Sequence, residues 1–198
     1  MTDFINNSDK EPFKRLRDFY EKAYLAEQDN IEAIAISSFS QKEREVDSRF
    51  VNLKIVDNED LIFFSNYLSP KAAQFLEHNQ ISALIFWSKI NIQIRFKANI
   101  YKLKEDISDE YFIKRSEDKN ALAISSDQSK PIDSFSDVEY KFKTVLENND
   151  LKERPVYWGG YSFKPYYFEF WEGNKSRLNK REVYKLDKNN WIKYLLQP

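Results

Sequence analysis

The stretch INIQIRFKANIY, residues 90–101, sets Ile90, Ile92, Ile94, Phe96, Ala98 and Ile100 against Asn91, Gln93, Arg95, Lys97 and Asn99. Successive side chains of a strand point to opposite faces, so this alternation predicts a long β-strand. One face belongs in a core, and the other meets solvent, a partner or a ligand. IEAIAISSFS (31–40), RFVNLKIVD (49–57), LIFFSN (61–66) and ISALIFW (81–87) carry the β-branched and aromatic residues of further strands. YWGGYSFKPYYFEFWEG, REVYKL and NWIKYLL read as closing strands.

Helical spacing interrupts these runs. In residues 11–28, Phe13, Leu16, Phe19, Tyr20, Ala23 and Tyr24 recur at three- and four-residue steps. SPKAAQFLEHN (69–79) offers Ser69 as N-cap and Pro70 at the first helical position. Residues 105 to about 122 predict another helix, SSDQSKPIDSFSD (125–137) a polar loop, and 137–148 a last helix. Many strands with inserted helices and no βαβ rhythm predict a mainly β fold with α, an antiparallel barrel carrying peripheral helices.

A chain of 198 residues suits one domain, here 11–198, with residues 1–10 as a flexible N-terminal segment. Lys plus Arg (31) and Asp plus Glu (32) nearly cancel, so no global field draws the chain to nucleic acid or an anionic membrane. The absence of cysteine removes thiolate chemistry, and the single histidine, His78, weighs against Ser-His-Asp catalysis and multi-histidine metal sites. No apolar run is long enough to span a bilayer, and a soluble cytoplasmic protein is expected. GxGxxG and Walker sequences are absent, so any phosphate must be held by side chains, hydroxyls and backbone donors. Arg49, Lys54, Ser65, Lys71 and Arg115 are candidates, although each alone also fits a solvated surface charge.

Taken together, RFVNLK, FFSNYLSPKAAQ, the strand holding Gln93, YFIKRS, DQS (127–129), YWGGY and FWEGNKSRLNKR resemble, in order and spacing, the pyridoxamine 5′-phosphate oxidase family of flavin enzymes. The likeness runs from about residue 12 to the C-terminus. It implies an FMN-binding split β-barrel and a homodimer with FMN in a cleft between subunits. The implied reaction oxidises pyridoxine or pyridoxamine 5′-phosphate to pyridoxal 5′-phosphate, with O2 reduced to H2O2. Carried over by position, Arg49, Lys54, Phe64, Ser65, Lys71, Gln93, Gln128, Ser129, Trp171 and Arg181 fall on FMN sites. Lys54, Tyr111, Arg115, Lys119, Arg177 and Asn179 fall on substrate sites, the last two at the catalytic position. Tyr111 lies four residues before Arg115, so one helix would put both on one face. Arg49 and Lys54, an odd number apart, would point to opposite faces of an ideal strand unless it twists, bulges or starts at Arg49.

Three positions depart from the family pattern. Asn179 replaces the histidine of an RLH signature, Pro70 replaces a phosphate-binding arginine, and Lys119 replaces a serine. An amide cannot serve as an acid. The departures keep open a related flavin oxidase acting on another ring, as in phenazine assembly, or a non-catalytic flavin- or pyridoxal-phosphate-binding homologue. The chain's three glycines, 159, 160 and 173, are expected at tight turns, the last in a hairpin returning Arg177 and Arg181 to the flavin; Trp158 and Trp191 are expected in the core.

Overall fold

The computed structural model describes residues 1–198. In chain order the elements are β1 (Asp3–Ile5), α1 (Glu11–Leu25), β2 (Ala33–Ser40), β3 (Glu45–Asn52), β4 (Ile55–Asp57), β5 (Asp60–Asn66), α2 (Pro70–Glu77), β6 (Gln80–Trp87) and, after a 3-10 turn, β7 (Ile92–Lys102). There follow α3 (Glu105–Ile113), α4 (Glu117–Ser125), α5 (Phe135–Asn148), β8 (Trp158–Glu172), β9 (Lys180–Asp187) and β10 (Asn190–Leu196).

All strands join one sheet in the order β1-β4-β5-β8-β7-β6-β2-β3, with β9 and β10 branching from β8. Its ends, β1 and β3, do not pair with each other, and the barrel is split as expected. Every pair is antiparallel except β1 with β4. The branch arises in β8, which pairs with β7 through Tyr161–Glu172 but with β5 through Trp158–Phe163 and with β9 through Tyr167–Glu172. Pro165, which has no N–H to give a ladder, sits at the change of partner, where the β7 register also slips.

The alternation of β7 holds: Ile92, Ile94, Phe96, Ala98 and Ile100 are buried. They meet Phe163, Phe168 and Phe170 of β8, and α1 closes the layer with Phe13 edge-on to Phe168 at 5.0 Å and Phe19 against Phe170 at 5.8 Å. Burying such a side chain contributes roughly 1.5–3 kcal/mol each, so this aromatic layer fixes how α1 and β8 sit.

Five local features differ from expectation. The run 49–57 is two strands: Leu53 N–H donates to Glu32 O at 2.8 Å, and Lys54 N–H donates to Ile62 O at 2.8 Å. The chain therefore crosses from β2 to β5 between Arg49 and Lys54, and the facing problem posed by their odd spacing disappears. The helix expected over 105–122 breaks at 114–116, where Ser116 starts α4, so Arg115 lies in a turn. Ser69 occupies the N-cap position without capping, since its hydroxyl donates to Asn66 O at 2.8 Å and accepts from Lys71 Nζ at 3.1 Å. Gly159 and Gly160 lie inside β8, where a side chain would collide with Tyr67 and Leu103; close approach, and not a turn, requires them. The segment 1–10, read as a flexible attachment, contains β1, with Thr2 N–H on Tyr20 OH at 2.8 Å and Phe4 packed on Tyr20.

Candidate functional site

A cavity of about 850 Å³ opens where β3, β4 and β5 meet α3, α4 and the start of β8. Five cations line it, Lys54, Lys71, Lys114, Arg115 and Lys119, against one carboxylate, Asp3. A smaller hollow of about 440 Å³ shares Arg115, Lys119 and Gln128 and runs along α4 past Leu122 and Ser126.

The fold delivers these cations from two sides. Lys71 enters from the first turn of α2 and is only 8% exposed, donating to Ser69 Oγ with no carboxylate partner. Burial, followed by the nearby Arg49 charge, brings its pKa down to about 8. Arg49 does not reach the wall. It donates to Ser38 Oγ at 2.6 Å and Gln74 Oε1 at 3.0 Å, with Asp47 3.5 Å away. Burial lowers its pKa despite that acid. Two partly buried cations in each other's field repel, and an anion between them would relieve that repulsion.

On the other side, Lys54 is ion-paired to Glu32, which also takes the amino group of Met1. Burial pushes the Glu32 pKa up, but these two cations together hold it below the usual range. Arg115 lies 4.3 Å over the Trp158 ring and donates through Nη2 to Lys119 O at 3.1 Å, leaving Nη1 buried without a partner. Its pKa is lowered by burial, whereas burial raises that of Tyr111. Phe64 stacks between Tyr111 and Trp158, at 3.7 Å and 5.3 Å. Its ring is thus committed to other rings, and Ser65, its neighbour in β5, faces Gly159.

Of the residues singled out from the sequence, Lys54, Phe64, Ser65, Lys71, Tyr111, Arg115, Lys119 and Gln128 come together around this cavity. Ser129 adopts a left-handed φ of 67° in the loop after α4 and does not line it. Gln93, Trp171 and Arg181 form a second group, one row of directly facing positions across β7, β8 and β9. Trp158 and Trp171 stand at the two ends of β8, on the order of 40 Å apart along a straight strand at about 3.3 Å per residue. Arg177 and Asn179 lie in the β8–β9 connection. Arg177 has a φ of 62°, and Asn179 Oδ1 accepts the Asn174 N–H at 3.0 Å. Within one chain the two groups are apart.

Other wall residues, Trp158, Lys114 and Asp3 among them, escaped the sequence reading. Trp158, expected in the core, is buried yet lines both hollows. Lys114 adjoins Arg115 in YFIKRS, and that doublet was a usable signal. Asp3 belongs to a three-residue strand too short to show a period.

Residues 158–198, the whole of β8 to β10, match the family model described as the pyridoxine 5′-phosphate oxidase C-terminal dimerisation region. The chain is 34% identical over 182 residues to pyridoxine/pyridoxamine 5′-phosphate oxidase 1 of Hydrogenovibrio crunogenus, covering 91% of this chain and 84% of the relative. It is also 34% identical over 189 residues to the pyridoxine/pyridoxamine 5′-phosphate oxidase of Haemophilus influenzae, covering 94% and 89%. Among solved structures, PhzG from Burkholderia lata 383, crystallised with tetrahydrophenazine-1-carboxylic acid, superposes with a TM-score of 0.90 at 26% identity, covering 95% and 93%. A pyridoxamine 5′-phosphate oxidase-related, FMN binding protein from Nostoc punctiforme shares the fold, with a TM-score of 0.78 at 12% identity, covering 96% and 99%. With relatives this similar over nearly its full length, the chain belongs to the pyridoxine/pyridoxamine 5′-phosphate oxidase family of oxidoreductases.

Proposed function

We propose that this chain is an FMN-dependent oxidase that converts pyridoxine 5′-phosphate or pyridoxamine 5′-phosphate to pyridoxal 5′-phosphate, with O2 reduced to H2O2. The observation that carries this reading is the pair of unmatched cations in one cavity. Lys71 has no acid partner, and Arg115 keeps a buried Nη1 without any partner. Each fits a phosphate monoester, and a flavin mononucleotide with a phosphorylated pyridine supplies two.

Lys71, Arg49 and Ser65 would hold the cofactor phosphate, with Gln128 and Ser129 contributing from the loop after α4. Arg49, now turned to Ser38 and Gln74, would have to swing toward Lys71 to join them, and the arginine that Pro70 replaces is not made up. Lys54, Tyr111, Arg115 and Lys119 would grip the substrate phosphate. For Lys54 this requires an exchange, because Glu32 now holds its ammonium. Hydride acceptance and oxygen reduction are the chemistry FMN supplies when bound. The protein's part is alignment, and positioning alone can remove several kcal/mol of a barrier.

The second group of residues supports a homodimer. Gln93, Trp171 and Arg181 stand far along β8 from their own chain's cavity, so a second copy is the source from which they would reach the same flavin. Arg177 and Asn179 would come with them to orient the pyridine ring. Trp171 and Arg181 of this row lie in the part of the chain that matches the dimerisation region, and Phe86, facing Gln93, is 54% exposed on the same surface.

Purified protein supplied with FMN, O2 and each B6 ester should release pyridoxal 5′-phosphate and peroxide in equal amounts; no aldehyde from either ester would end this reading. A second reading keeps fold and cofactor but changes the ring. The engaged Asn179 amide and the likeness to PhzG favour it. Oxygen consumption with a reduced tricyclic acid, alongside none with the B6 esters, would select it.

A further inference from the structure

We propose that Glu169 is the residue that positions Arg181 for the flavin, a role that rests on the FMN reading above. Glu169 lies in β8 and is 2% exposed, although its side chain points to the same face as Trp171. Its Oε1 accepts Arg181 Nε at 2.9 Å and Nη2 at 2.8 Å. Its Oε2 accepts Arg95 Nη1 and the Tyr167 hydroxyl, both at 3.0 Å. No other carboxylate pairs with Arg95 or Arg181 in the structure.

The register shows what this carboxylate does. Arg181 faces Trp171 across β8 and β9, yet its guanidinium reaches diagonally to Glu169 and sets its remaining edge on Gln197 O at 3.1 Å. Three of the five guanidinium N–H groups are thereby spent on the protein, and two remain for a ligand. The long side chain loses its rotamer freedom before the cofactor arrives, so binding does not have to supply that ordering. Removing the charge at Glu169 would leave Arg95 and Arg181 as neighbouring cations on a half-buried face, each pushing the other aside.

FMN titration of the full-length chain, followed by quenching of flavin fluorescence, tests this. E169Q keeps the shape and removes the charge, and it should weaken FMN binding roughly tenfold or more. R181Q should do the same, and the double variant should bind no worse than R181Q alone, because Glu169 acts through that arginine. E169D, which keeps the charge one methylene further away, should lose less than E169Q and provides the comparison if E169Q does not fold. Losses that multiply in the double variant, or E169Q and E169D binding like the wild type, would overturn the role of Glu169 alone. A wild-type chain that binds no FMN would overturn the flavin reading and this one with it.

Discussion

The ring of Phe64 lies flat on that of Tyr111, with centroids 3.7 Å apart and planes 6° from parallel, and Trp158 continues the stack at 5.3 Å. Because Arg115 rests 4.3 Å over Trp158, one β5 residue fixes the spacing between two groups proposed to hold the substrate phosphate. A stacked aromatic pair contributes about 0.5–1.5 kcal/mol beyond its burial. Phe64→Leu should therefore raise KM for the B6 ester by roughly three- to tenfold and change kcat less. Steady-state kinetics check it, and an unchanged KM with a lowered kcat would contradict it.

Lys71 carries a pH signature. Its pKa of about 8 in the ligand-free protein lies below the unfolded value of about 10.4. The buried charge therefore costs stability below pH 8, and this cost disappears as pH rises toward the unfolded value. A bound phosphate reverses the preference and favours the ammonium. FMN affinity should be level just below pH 8 and fall above it by up to about tenfold per unit. The phosphate itself, with a second pKa of about 6, is already a dianion there. Lys71→Met should weaken binding at neutral pH and abolish the inflection, as read by flavin fluorescence across pH 7–9.5.

Gly159 and Gly160 leave no room for a side chain. A Cβ on Gly160 would strike Leu103 and come within 3.1 Å of Phe64, and one on Gly159 would strike the Tyr67 hydroxyl. Overpacking of this kind costs about 1–3 kcal/mol. Gly160→Ala should lower the melting temperature by several degrees and also loosen the Phe64 stack, weakening substrate binding more than Gly159→Ala does.

Arg15 ties α1 to the sheet through Glu172 at 2.6 Å and Glu182 at 3.0 Å. Burial raises the Glu182 pKa, but the Tyr184 bond, the Arg15 charge and Lys193 together bring it below the usual range. The pair's stabilisation is therefore present above the unfolded value of about 4.3 and lost as pH falls through the lower folded value. Arg15→Met should destabilise the protein by about 1–3 kcal/mol at pH 7 and flatten the acid loss. Urea unfolding at pH 7 and pH 4 would show both.

Much of the scaffold was legible because alternation in 90–101 and three- and four-residue steps in 11–28 each have a single physical reading. What escaped depends on partners distant in the chain. The crossing at Leu53 and Lys54 is set by carbonyls of Glu32 and Ile62, and nothing in RFVNLKIVD marks it. Glycines punctuate turns so often that WGG read as one, yet the reason for Gly159 and Gly160 lies in Tyr67 and Leu103. The break before Ser116 has no Gly or Pro, although Ser116-Glu117-Asp118 is itself a helix-start signal. Lys54, Ser65, Lys71 and Arg115 are legible as possible phosphate ligands from residue type, and the resemblance joins Phe64, Tyr111, Lys119 and Gln128 to them. Their burial, and the commitment of Glu169 to two arginines, follow only from tertiary placement.

The central claim is that this cavity holds a flavin with a phosphorylated pyridine against it. The most direct measurement is the absorbance of the FMN-loaded protein mixed with pyridoxine 5′-phosphate in the absence of oxygen. The yellow flavin band should bleach and return when air is admitted; a spectrum that stays oxidised at saturating ester would contradict the account.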